Sequence, residues 1–276
     1  MPLREWNNNS SKLKDKISKD YPGDGNSKIV NVQIRVAEIN QMQEKYNSFG
    51  QHMLTFNHIP VLTDESIVAQ SVLFLLAAFD TTASALAFAS FLLAKYPVQQ
   101  QRLRQELQQM VQEHGDVTYQ GIMEATFLDA CIMESLRLYP PAVFGSRVCN
   151  KTYKIPGTKV VLRPGDLVTI PFWSLHHDPR YWPEPEVFLP DRFLPENKTN
   201  ITSFTHMPFG MGPRNCIGMR FALMKVKVAL AKLLLKAEIH LRSGHEEPKL
   251  ERSPFLLRPG GLHLVISPLT AKTNKQ

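Results

Sequence analysis

Cys216 stands alone in a glycine-punctuated run, Phe209-Gly210-Met211-Gly212-Pro213-Arg214-Asn215-Cys216-Ile217-Gly218, and an apolar-periodic segment from Met219 to Lys236 follows directly. That periodicity predicts a helix, which puts Cys216 at its positive end, where a thiolate is stabilised and the thiol pKa falls. Gly210, Gly212 and Gly218 let the backbone turn sharply and come close to a flat ligand. Pro213 stiffens the run, and Arg214 adds a cation near the sulfur. A deprotonated, sheltered thiolate with backbone amides turned toward it is what a proximal ligand to haem iron requires. The ordinary alternative is a structural cysteine buried in a glycine-rich turn.

Three other groups carry side chains capable of chemistry. Asp80-Thr81-Thr82 falls in the middle of a long apolar segment, Ile67 to Ala94; taken alone it reads as local capping. Glu134 and Arg137 lie three apart, on one face of a helix predicted over about Phe127 to Leu138 and closed by Pro140-Pro141. Such a pair is ordinarily solvated, but Ile132, Met133, Leu136 and Leu138 surround this one. Adjacent histidines, as in His176-His177-Asp178, do not converge on one ion, and no third ligand is near. They are expected at the surface or at a helix end.

The elements around these residues follow from periodicity and punctuation. Thr63, Asp64 and Glu65 make a helix start, with acidic side chains facing the positive dipole, and Tyr96-Pro97 stops the helix that follows. That helix is long enough to span a bilayer. Asp80 at its middle argues for the central helix of a large helical protein instead, since an ionisable residue at bilayer centre costs at least ~2.5 kcal/mol. Gln99 to His114 is a polar, amphipathic helix with Leu103 and Leu107 inward, ending at Gly115, and Tyr119 to Ala125 is a short connection. Tyr153 to Pro171 reads as two strands joined by the turn Arg163-Pro164-Gly165-Asp166, and Glu238 to Leu241 with Gly261 to Ile266 as a last strand pair. On the helix after Cys216, Lys225, Lys232 and Lys236 share one stripe and Arg220 with Lys227 another, at about 100° per residue.

With 43% hydrophobic and 21% charged residues, the 276-residue chain can bury a sizeable core. A net charge of +7 suits an acidic protein or a membrane surface, and the lack of a basic tract interleaved with aromatics makes nucleic acid the weakest candidate. Cys131, Cys149 and Cys216 are odd in number and far apart, which argues for a reducing compartment and against a disulfide framework or zinc cluster. Met1 leads into a polar stretch without the apolar core of a signal peptide or anchor. Residues 1–60 read as a polar segment of uncertain structure, with a turn at Pro22-Gly23-Asp24-Gly25, and 269–276 as a polar tail.

The pattern Phe-x-x-Gly-x-Arg-x-Cys-x-Gly at 209–218 resembles the haem-binding loop of the cytochrome P450 family, with every specified position filled. Ala77-Ala78-Phe79-Asp80-Thr81-Thr82 is similar to the family's central oxygen-binding helix, with alanine at 78 where glycine is usual, and Glu134 with Arg137 to its Glu-x-x-Arg pair. The likeness runs from about Thr63 to Pro268, with Pro208 to Leu223 most similar to microsomal, xenobiotic-metabolising animal members. It implies a mainly α fold with small β-sheets, 63–268 being the C-terminal portion of a catalytic domain that holds haem b.

By the same resemblance Cys216 is the axial iron ligand, and Phe209, Gly210, Gly218, Ala77 and Ala78 lie against the macrocycle. Arg147 and Arg214 bind its carboxylates with bidentate geometry. Asp80 and Thr81 relay protons to oxygen. Glu134, Arg137 and Arg192 form a structural network that locks the haem loop. Leu73, Leu76, Ala77, Ala142 and Val143 line an aliphatic pocket. The function implied is monooxygenation of a hydrophobic small molecule, with NADPH electrons delivered by a flavoprotein reductase, and cytochrome b5 as a further partner. The basic stripes are then a docking face, their ordinary alternative being a solvated one. Full-length relatives sit on the cytosolic face of the endoplasmic reticulum membrane. Upstream of Thr63 neither an anchor nor the family's Trp-x-x-x-Arg helix is found, so the alternative expectation is a truncated, non-catalytic remnant that binds haem weakly or not at all.

Overall fold

The computed structural model describes residues 63–244, 247–251 and 256–269. The expected polar segment 1–60, with its turn at Pro22, and the tail beyond 269 lie outside them. The chain divides into two units, Met1–Phe74 and Leu75–Gln276, the boundary falling inside the first helix. The described part of the first unit is the opening of that helix, where Ser66 N donates to Thr63 Oγ1.

The described fold is mainly α, with three two-stranded antiparallel sheets. Helix α1 spans Asp64–Lys95. Its apolar face is exposed from Ile67 to Phe79, whereas Ser84 to Leu93 is largely buried. It is the one described helix long and apolar enough to cross a membrane.

Helix α2, Pro97–His114, has Pro97 at its first turn and ends at Gly115, whose φ of 78° supplies the left-handed cap. Its inner stripe carries Leu103, Leu107 and Met110, but also the buried Gln100 and Arg104. Gln100 accepts from Ile239 N (2.9 Å) and donates to Leu93 O (3.0 Å) and Ile239 O (2.8 Å). Arg104 donates to Leu234 O (3.0 Å) and Ala237 O (3.3 Å). A helix that is polar in sequence thus buries polar groups because backbone partners satisfy them.

Helix α3, Tyr119–Glu124, is capped by the Thr118 hydroxyl, which accepts from Gly121 N at 3.1 Å. Helix α4, Thr126–Leu138, is capped from another element. The Glu106 carboxylate of α2 accepts from Phe127 N (2.7 Å) and Leu128 N (2.8 Å), a charge placed at the positive helix end.

Strands β1 (Gly145–Val148), β2 (Tyr153–Lys154), β3 (Val161–Leu162) and β4 (Leu167–Ile170) correct the expected hairpin. The turn Arg163 to Asp166 does join two strands, yet they pair with different partners, β1 with β4 and β2 with β3. The turn signal is local, while pairing is set by which strand edges meet. A short helix α5, Phe172–His176, follows, then an irregular, proline-rich stretch and helix α6, Met219–Leu234. Strands β5 (Ala237–Leu241) and β6 (Leu264–Pro268) close the described chain as an antiparallel pair. The core of the second unit unites α1 from Ala85 on, α2, α4 and α6 with Trp182, Phe188, Phe193 and Ile239.

One surface expectation fails against this packing, that for Lys227, while His176 takes one of its two expected places. Lys227 is buried and paired with Asp129 of α4 at 2.8 Å, so it belongs to no docking stripe, whereas Lys225, Lys232 and Lys236 are exposed. His176 does end a helix, but it is fully buried.

Candidate haem-thiolate site

The run Phe209 to Gly218 forms a loop held by its own backbone. Gly210 N donates to Met207 O (3.0 Å), Asn215 N to Gly212 O (3.1 Å) and Cys216 N to Phe209 O (2.8 Å). Gly210 (φ 69°) and Gly212 (φ 78°) lie in the left-handed region, where a side chain would be strained. Gly218 is the residue before the first turn of α6, so Cys216 stands two positions from the helix N-terminus. The thiol is exposed, as is Ile217 at 86%. Cys131 differs in kind: its thiol is buried in α4, and desolvation pushes its pKa well up.

A cation joins the loop from outside. Arg147, on β1, donates through Nη2 to Arg214 O at 3.3 Å and through Nη1 to Ser146 O at 2.8 Å. Both arginine side chains are exposed. The structure therefore ties Arg147, from β1, to the backbone of the loop that carries Arg214 and Cys216.

The Glu134, Arg137 and Arg192 side chains also come together, with Glu134 and Arg137 inaccessible to solvent. Glu134 accepts from Arg137 Nε (2.7 Å) and Nη2 (2.9 Å) and from Leu189 N (3.0 Å), with Arg192 Nε at 3.4 Å. Arg137 Nη1 donates to His176 O and Pro185 O, both at 2.8 Å, and Nη2 to Val187 O at 3.3 Å. Arg192 donates to the carbonyls of Pro183 and Glu184. The end of α5 and the irregular stretch after it, 177–189, thus hang carbonyls on the buried Arg137 and half-buried Arg192 guanidinium groups, which is why these charges are tolerated inside.

On α1, Thr81 Oγ1 donates to Ala77 O at 2.7 Å, and the Asp80 carboxylate pairs with Arg258, whose neighbours fold back on the 141–143 segment. Leu257 N donates to Pro141 O (2.8 Å), Ala142 bridges Leu256, and Val143 O accepts from Trp173 N (3.0 Å). Asp80 and Thr81 therefore engage partners other than the Cys216 loop. Ala77 and Leu76 are exposed, Ala78 half-buried, and Leu73, in the first unit, is exposed.

Arg258, the Gln100–Arg104 pair and the contact of His176 with Met207 were not picked out from sequence. Pro259-Gly260-Gly261 after Arg258 was a turn signal, but nothing local says that an arginine there meets α1. For His176 the signal is absent, because its partner, Met207, is 31 residues away.

The donor set fits haem. A single exposed thiol is a soft ligand at a helix N-terminus, apolar Ile217 and half-buried Phe209 flank it, and Arg147 of β1 is hydrogen-bonded to the loop at the carbonyl of the exposed Arg214. Among the described residues no cluster of histidine, cysteine and carboxylate offers a rival metal site.

Comparison with known proteins agrees with this chemistry. The family model "Cytochrome P450" matches residues 26–266, beginning upstream of Thr63. The chain is 50% identical over 205 residues to cytochrome P450 9e2 of Blattella germanica, covering 73% of this chain and 38% of that protein. It is 46% identical over 173 residues to cytochrome P450 3A31 of Mesocricetus auratus (63% and 34%) and 40% identical over 215 residues to cytochrome P450 3A7 of Homo sapiens (78% and 41%). The chain spans well under half the length of these relatives. A lone thiol at the end of a glycine-turned loop, two arginines beside it, and a buried Glu–Arg–Arg lock are accounted for together by one statement: the chain belongs to the cytochrome P450 family.

Proposed function

We propose that the chain carries the haem-thiolate half of a monooxygenase acting on hydrophobic small molecules. The observation that carries this reading is the Cys216 loop itself: an exposed thiol two positions before the N-cap of α6, its amide tied to Phe209 O, with Arg214 on the loop and Arg147 hydrogen-bonded to it. When bound, haem supplies the activation of dioxygen and its insertion into the substrate, favoured by electron donation from a thiolate.

Every other part of the proposal belongs to the protein's own side chains. Cys216 holds the group through Sγ, just ahead of the N-cap of α6. Phe209, Gly210, Gly218, Ala77 and Ala78 offer flat, small surfaces to it. Arg147 and Arg214 bind its carboxylates, guanidinium forks matching them bidentately. Thr81 Oγ1 parks its proton on Ala77 O, and rotation of its hydroxyl offers that proton toward the apolar side of α1. Asp80 supplies the next proton acceptor, and Arg258 holds its carboxylate. Leu76, Ala77, Ala142 and Val143 offer aliphatic side chains that exclude water without selecting a shape.

Electrons come from an NADPH-dependent flavoprotein reductase, with cytochrome b5 as a second donor, docking on the exposed Lys225 and Lys232 of α6 and Lys236, which lies in the turn beyond its end at Leu234. Relatives of this kind sit at the endoplasmic reticulum membrane. The test is direct: load the chain with haem, reduce it, add carbon monoxide and record the Soret band. A band at the thiolate position supports the assignment, and Cys216→Ala removes it. A spectrum unchanged by that substitution refutes the ligand.

A further inference from the structure

The most deeply placed titratable ring near the loop takes no part in the reading above. His176 is 0% exposed at the end of α5, and both its backbone and its ring are committed. Its carbonyl accepts from Arg137 Nη1 at 2.8 Å, and its Nε2 lies 2.8 Å from the backbone nitrogen of Met207. Only an amide can be the donor in that contact, so Nε2 bears no proton. The neutral ring must then carry its hydrogen on Nδ1, which is buried beside the Arg137 backbone. Burial, with His206 and Arg137 nearby, pushes the ring's pKa down to about 2, in keeping with a lone pair already in use. Met207 in turn accepts from Gly210 N at 3.0 Å, which opens the Cys216 loop.

We propose that His176 is a positioning residue for the Cys216 loop: as the Nδ1–H tautomer it anchors the Met207 amide and so ties the loop's entry to the rigid Glu134–Arg137 lock. The guanidinium group holds the histidine's main chain, the imidazole holds Met207, and Met207 holds Gly210. The Met207 amide selects the Nδ1–H tautomer. It persists because swapping the tautomer would orphan the Met207 amide and set two N–H groups against each other. His206 stands as the contrast: its Nε2 donates to Met133 O at 3.2 Å, so two rings 5.3 Å apart hold opposite tautomers, each dictated by its backbone partner.

The inference rests on Cys216 as the haem ligand for its functional half only, and the test separates the two. In the full chain without haem, His176→Leu speeds amide exchange at Met207 and Gly210 by about ten- to a hundredfold, the loss expected when a buried amide is orphaned. His176→Gln, whose Oε1 can accept the same N–H, stays near wild type. In the haem-loaded chain, His176→Leu shifts the reduced, carbon-monoxide-bound Soret band from the thiolate to the neutral-thiol position at equal haem content, and His176→Gln restores it. Exchange and band unchanged in His176→Leu, or no rescue by His176→Gln, overturn the proposal. If His176→Leu does not fold, the nitrogen spectrum of isotope-labelled wild type decides: a bare Nε2 supports it, a protonated Nε2 overturns it. A wild type with no thiolate band refutes the ligand assignment instead, while exchange and the nitrogen spectrum still decide the anchor.

Discussion

At the residue level, the charges that matter most for order are those no water reaches. Glu134 and Arg137 satisfy one another and also hold Leu189 N and the carbonyls of residues 176, 185 and 187. Arg137→Ala leaves a buried carboxylate and several orphaned carbonyls, and is expected to destabilise the chain by about 3–5 kcal/mol in denaturant unfolding. Arg137→Lys should recover little of this, because an ammonium cannot spread its donors over the same fork. A loss under about 1 kcal/mol for Arg137→Ala would show that the network is solvated rather than sealed. Glu134-x-x-Arg137 was legible as a pair because both ends lie on one helical turn. Which carbonyls it would hold was not, since these come from a stretch with no periodicity to read.

Between elements, the α4–α6 contact shows how an expected surface residue becomes an internal one. Lys227 keeps its ammonium on Asp129 at 2.8 Å, while that carboxylate remains a third exposed. Removing one partner and replacing it with an apolar isostere should differ in sign. Lys227→Met, filling the same volume, is expected to change stability by under about 1 kcal/mol, or to raise it, while Lys227→Ala costs about 1–3 kcal/mol through lost packing. Urea unfolding of the two variants side by side checks this; equal losses would mean that the charge, not the stem, carries the contact. Stripe arithmetic on a lone helix places Lys227 beside Arg220 but says nothing about which stripe meets a neighbour. For the same reason nothing in the helix pattern marks Gln100 and Arg104, although they close open carbonyls at the end of α6 and in β5.

For the whole molecule, buried neutral histidines make stability depend on pH. The folded-state pKa values of His176, His206 and His177 are lowered from 6.5 to about 2, about 3 and about 4, in each case chiefly by desolvation. A lowered histidine pKa means that the unfolded chain takes up the proton first as pH falls. The stability these rings contribute is therefore intact above about 6.5 and is lost progressively below it. With His176 alone, the loss between pH 6.5 and about 5 is about 1.4 kcal/mol for each unit. His176→Gln should flatten that slope by one proton. Unfolding free energies across this range measure it, and identical slopes for wild type and variant would show that the ring titrates normally in the fold.

By itself the sequence determined whatever is carried by neighbours along the chain: the thiol in its glycine-turned loop, the helix it introduces, the Glu-x-x-Arg pair, and the caps at Thr118 and Gly115. These depend on backbone conformation and on spacing within a turn or two, and local residue types are enough to dictate them. Tertiary structure alone decided which strands pair across the Arg163 turn, that Arg258 meets Asp80, that Lys227 turns inward, and that His176 grips an amide 31 residues away. Those are contacts between surfaces brought together by burial of a common core, and no period along the chain records where its distant parts will touch.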